Sequence, residues 1–97
     1  MNRRRSLKSL LKDLTTGKIV PLSRANWLDL AGGFEEIDRI ATGLAGDILL
    51  VRTPTRGWAL VEAPDPDERV VRPLADEKEA RALIADRLGA YDRMWDG

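Results

Sequence analysis

Two side chains that carry much of protein chemistry are missing: the chain has neither cysteine nor histidine among its 97 residues. Without cysteine there is no disulfide, no thiolate nucleophile and no Cys-based zinc or iron–sulfur centre. Without histidine the commonest general base at neutral pH and the commonest transition-metal ligand are gone. Long apolar runs are also lacking. They reach only four residues, as at Ile48–Val51, against the roughly 20 that a membrane-spanning helix needs. No membrane span is therefore expected. No apolar segment of about 7–15 residues follows Arg3–Arg5, so the expectation is no secretory signal and a cytoplasmic location.

Phosphate-cradling motifs are absent too. The chain contains neither G-x-x-x-x-G-K-[ST] nor G-x-G-x-x-G, so no nucleotide cofactor is expected. A Ser or Thr nucleophile would have only Lys or carboxylate for a base. The carboxylates themselves have plainer roles. Asp65, Asp67 and Glu68 crowd one turn, but they lack the alternating acids and central glycine of a calcium loop. Glu35, Glu36, Asp76, Glu77 and Glu79 sit where helix starts favour acids. The reading is of a protein without independent catalysis, cofactor or metal. A small enzyme using carboxylate chemistry ranks last.

What is present is a charge split. Residues 1–24 hold seven basic side chains against Asp13 alone, a net of +6, while residues 25–97 hold nine basic and 15 acidic ones, a net of −6. The zero overall charge hides a dipole along the chain, and such asymmetry bears on partners. A hydrophobic content of 43% with 33% charged residues predicts a globular core, and the length predicts a single domain over 1–97.

The basic pole is mostly one element. Leu7, Leu10, Leu11 and Leu14 recur at helical spacing, with Lys8 and Lys12 on another face. Ser6 is placed to cap the first turn and Thr15-Thr16-Gly17 to end it. Residues 1–16 thus read as a basic amphipathic helix, docked at the domain margin or partly free. Lys18–Leu22 reads as an extended connector interrupted by Pro21. Ser23 then caps a short helix carrying Trp27, Leu28 and Ala31. After Gly32-Gly33, the spacing of Phe34, Ile37, Ile40, Ala41 and Leu44 predicts a further helix closed by Gly43 and Gly46. Forcing a helix-turn-helix onto residues 23–44 would give its recognition helix three acids and only Arg39, which phosphates disfavour.

Three strands are predicted at about 47–53, 58–63 and 69–74. Pro54–Gly57 and Pro64–Asp67 form the turns, giving an antiparallel meander whose third strand, with Pro73 near its end, is expected near an edge. The last element is a long helix. Asp76 and Glu79 make a capping-box pattern, and Ala80, Leu83, Ile84, Leu88, Tyr91 and Trp95 form its apolar stripe. Glu77 and Arg81 make a favourable i, i+4 pair. The expected architecture is α+β: a three-stranded meander with the C-terminal helix packed on it and two to three helices before it.

The functional expectation is a protein-binding regulator, adaptor or accessory subunit. Its contact residues are Arg3, Arg4, Arg5, Lys8, Leu10, Leu11 and Lys12 on the first helix, and Arg52, Arg56 and Trp58 around the first hairpin turn. Trp is enriched in interface hot spots, and three of the five aromatic residues are Trp. The partner is another protein or larger complex, with a homodimer as one form of it. The second-ranked reading is nucleic-acid binding through the basic N-terminal arm.

Overall fold

The computed structural model describes residues 4–41 and 46–96, with side-chain detail through residue 89. Helix α1, Leu7–Thr15, starts where Ser6 accepts a hydrogen bond from the Ser9 N–H at 3.1 Å. It ends at Gly17, whose φ of +82° suits a residue without Cβ. There the Gly17 N–H donates to the Leu14 carbonyl and the Lys18 N–H to that of Asp13, each at 3.0 Å. Strand β1, Val20–Ser23, follows, then helix α2, Arg24–Leu30. Ser23 caps α2 by accepting the Asn26 N–H at 3.0 Å. A single 3-10 turn, Ala31–Gly33, leads into strand β2, Glu35–Ile40.

Strands β3 (Ile48–Arg52), β4 (Trp58–Asp65) and β5 (Glu68–Leu74) complete the sheet, and helix α3, Glu77–Asp96, closes the chain. All strand pairs are antiparallel, in the order β1-β5-β4-β3-β2. The expected meander forms the middle of this five-stranded sheet, and the α+β class stands. Asp76 accepts the Glu79 N–H at 2.8 Å at the start of α3, while Glu79 reaches back to the Ala75 N–H at 3.0 Å. The capping pair thus spans one residue more than the standard reciprocal box.

Three elements depart from the expectation. The strand at 69–74, expected near an edge because of Pro73, lies inside the sheet as β5, between β1 and β4; Pro73 is accommodated because the pairing with β1 ends at Val71. The helix predicted from Phe34 onward is strand β2. Its apolar residues do not share one face: Phe34 packs against the cluster under α1 and α2, Ile40 against the cluster under α3, and Ile37 is exposed at a bulge between Glu36 and Asp38. A helical spacing of apolar residues also fits a strand that feeds both faces of a sheet, once a bulge shifts the alternation. Ladder bonds to the open edge of β3 decide between them. Leu44 and Gly43 lie outside the described residues. The connector around Pro21 is strand β1, paired Val20↔Val71 through Ser23↔Glu68. Pro21 is tolerated because β1 is an edge strand, where one missing donor breaks no inner ladder.

The sheet is covered on both faces, which explains the short unbroken apolar runs of β3 and β4. On one face Leu10, Leu14 and Trp27 from α1 and α2 pack on Val20, Leu22, Val51, Ala59, Val61 and Val71. On the other, Ala80 and Ile84 of α3 pack on Ile48, Leu50 and Leu60. The first helix is therefore part of the core rather than a free arm. Leu10 is wholly buried.

Candidate functional site

The N-terminal basic residues are engaged inside the domain to different degrees. Arg4 pairs with Asp29 of α2, and Arg5 pairs with Asp13 and donates to the Ser9 hydroxyl at 3.3 Å. The backbone of Arg5 is held on both sides by the buried Asn26 side chain. Lys8 and Lys12 are exposed, and Leu11 is half-buried. Arg3 lies outside the described residues, as do the side chains of Tyr91 and Trp95. Of the leucine stripe, Leu10 and Leu14 face the sheet, so Leu10 is not available at the surface of the folded domain.

The turn between β3 and β4 gathers Arg52, Arg56 and Trp58. The Arg56 N–H donates to the Thr53 carbonyl and the Thr53 N–H to the Gly57 carbonyl, both at 2.9 Å. The Thr53 hydroxyl accepts the Gly57 N–H at 2.8 Å and lies 2.9 Å from that of Thr55. This network fixes a tight tip and places Arg56 at φ +67°, in the left-handed region. Register sets Glu35, Arg52, Trp58 and Leu74 in one row across β2, β3, β4 and β5. In that row the Arg52 guanidinium lies 4.5 Å from the Trp58 ring centroid, a cation–π contact. Its Nη2 donates to the Arg56 carbonyl at 2.9 Å, while its buried Nε has no acceptor. Arg52 is thus fixed in place, whereas the Arg56 side chain is exposed. An open groove of about 410 Å³ runs between this tip and the Gly32-Gly33 turn, with Glu35, Arg52 and Arg56 among its walls.

Sequence reasoning missed a second cluster. Glu62 accepts from Arg72 Nε at 3.4 Å and from Arg87 Nε at 2.8 Å, bridging β4, β5 and α3. Its one signal is a lone acid in an apolar strand. Glycosidase-type chemistry uses two facing carboxyl groups, whereas this part-buried one faces two guanidiniums. In the β4–β5 turn, Asp65 accepts the Asp67 N–H at 2.8 Å. Among the described residues no group of three or more acids is placed to hold a metal ion.

Charge pairs also tie the β2 edge down. Arg81 of α3 bonds to Asp38 at 2.6 Å and Glu77 at 3.3 Å. That bond, then the backbone N–H of Arg39, holds the Asp38 carboxyl below its usual range. Arg39 faces Glu36 at 2.6 Å and Asp47 at 3.3 Å, which raise its pKa, Glu36 more strongly. No described helix is long and apolar enough to cross a membrane. No protein-family model, curated protein or solved structure matches the chain.

Proposed function

We propose that this protein is a binding module for another protein, working as a regulator, adaptor or accessory subunit without catalysis of its own. The observation that carries the reading is the β3–β4 tip, where Arg52 is fixed on Trp58 beside the exposed Arg56. A prearranged guanidinium next to a free one loses little side-chain entropy on binding. Away from the tip, Leu28 on α2 is 59% exposed and Ile19 before β1 is 49% exposed. Pairing of two copies through β2 is disfavoured, because a bulge and paired charges blunt that edge.

Nucleic-acid binding is the second reading, favoured by the exposed Lys8 and Lys12. It ranks lower because Arg4 and Arg5 already face carboxylates, which a phosphate would have to displace. Truncating residues 1–14 is unsuited as a test, since Leu10 and Leu14 are core. The test is affinity capture by the full chain from the cells that produce it, followed by reconstitution of the captured pair from purified components. A stoichiometric protein partner that survives nuclease treatment and rebinds when purified supports the reading. Capture of nucleic acid alone, abolished by Lys8→Glu with Lys12→Glu and falling steeply with salt, would replace it.

A further inference from the structure

The backbone at Arg56 asks for glycine, and the sequence supplies arginine. Its φ of +67° lies where L side chains are disfavoured, while the neighbouring Gly57 stands one position away. Turn geometry therefore does not explain the residue. Ion pairing within the domain does not explain it either. Arg4, Arg5, Arg39, Arg72, Arg81 and Arg87 each face a carboxylate. Arg69 donates to the carbonyls of Asp65, Pro66 and Glu68. The Arg56 side chain makes no such contact among the described residues; only its carbonyl is used, by Arg52. Strained positions kept with a free functional group are a reason to look for a ligand.

The ligand chemistry follows from the groove beside it. Arg52 presents a planar guanidinium held by the Trp58 ring and one carbonyl, and Arg56 adds a second charge at the rim. Across the groove Gly32 offers bare backbone, and a Cβ there would meet nothing within 4 Å. Two guanidiniums at an open groove suit carboxylates, Arg56 with its whole fork and Arg52 from its Nη1 end, since its Nε is buried and its Nη2 bonds to the Arg56 carbonyl. Glu35 on the same wall and the net negative charge of residues 25–97 oppose an extended polyanion. We infer that the groove between the β3–β4 tip and the Gly32-Gly33 turn takes a short acidic segment of a partner protein through Arg52 and Arg56. This inference rests on the protein-binding reading and specifies its surface.

The test uses the full chain and a fluorescein-labelled hexaglutamate peptide, followed by anisotropy at about 0.05 M salt, where exposed charges are weakly screened. Saturable binding is expected, weakened about tenfold or more by Arg56→Glu and by Gly32→Glu, which have room to fold. Arg52→Lys keeps the charge but loses the planar fork and is also expected to weaken binding. Arg24→Glu is the control. Arg24 is exposed and its N–H bonds to the Asp67 carbonyl in the β4–β5 turn, at the opposite end of the sheet. Three results would overturn the inference: no saturable binding, equal damage from Arg24→Glu and Arg56→Glu, or tighter binding of a labelled oligothymidylate through the same residues. A purified partner that binds Arg56→Glu as well as the native chain would exclude this groove while leaving the protein-binding reading intact.

Discussion

Asn26 and Arg5, 21 positions apart, exchange two hydrogen bonds. The Asn26 Oδ1 accepts the Arg5 N–H at 2.7 Å, and its Nδ2 donates to the Arg5 carbonyl at 3.1 Å. Asn26 is only 4% exposed, so its amide has little water to turn to. One side chain of α2 thus acts as a strand-like partner for the backbone just before α1. Asn26→Ala removes both bonds and leaves the Arg5 peptide groups short of partners, at an expected cost of about 2–3 kcal/mol. Urea denaturation checks the value. Asn26→Asp keeps the acceptor but sets a carboxylate oxygen against the Arg5 carbonyl at a buried site, so its midpoint should lie no higher than that of Asn26→Ala.

The packing of α1 gives a sharper contrast. Leu10 is fully buried, whereas Leu11, one position on, is only partly so. Leu10→Ala should cost about 3 kcal/mol, the usual range for emptying a core leucine site, and Leu11→Ala well under half of that. Paired chemical denaturation curves measure both. Equal losses would mean that α1 is rotated about its axis, with Leu11 as deep in the core as Leu10.

At the β3–β4 tip, the strain at Arg56 predicts a gain. Arg56→Gly relieves the left-handed conformation of a residue with Cβ and should add about 1 kcal/mol of stability. For a domain of this length that corresponds to a rise in Tm of about 5 °C, measurable by calorimetry. The same variant should weaken hexaglutamate binding, though less than Arg56→Glu, so stability and binding move in opposite directions at one residue.

The Asp38–Arg81 pair predicts a titration. The Arg81 guanidinium lowers the Asp38 pKa, so the pair favours the folded state when the carboxylate is charged in both states. That contribution is present above the ordinary aspartate value of about 3.9 and is lost as pH falls through the lower folded value. Arg81→Gln should raise the Asp38 titration toward the ordinary value, read by NMR of its carboxyl carbon. The Arg81 and Asp38 side chains are 45% and 41% exposed, so solvent screens the pair and the effect on global stability should be small. An unmoved titration would remove Arg81 as the cause.

Local chemistry was enough to find much of the architecture. Ser6, Ser23 and Asp76 start helices because their side chains satisfy N–H groups that the helix itself leaves unbonded. Ile48–Val51 and Trp58–Val61 read as strands because β-branched and aromatic runs lie between turn residues. The tip residues Arg52, Arg56 and Trp58 are adjacent through one short turn, so their grouping was also legible. What the sequence could not supply was anything that depends on a distant partner. Strand β2 exists because β3 offers it a ladder, and its bulge sends Phe34 and Ile40 to opposite faces. Strand β1 exists because β5, about fifty positions away, pairs with it across Pro21. The placement of Glu35 beside Arg52, and of Asn26 on Arg5, is likewise set by register and packing between segments. Capping and turn formation are decided within a few residues of chain. Edge pairing, and whether a leucine or an arginine faces core or solvent, is decided only when the remote surface is in place.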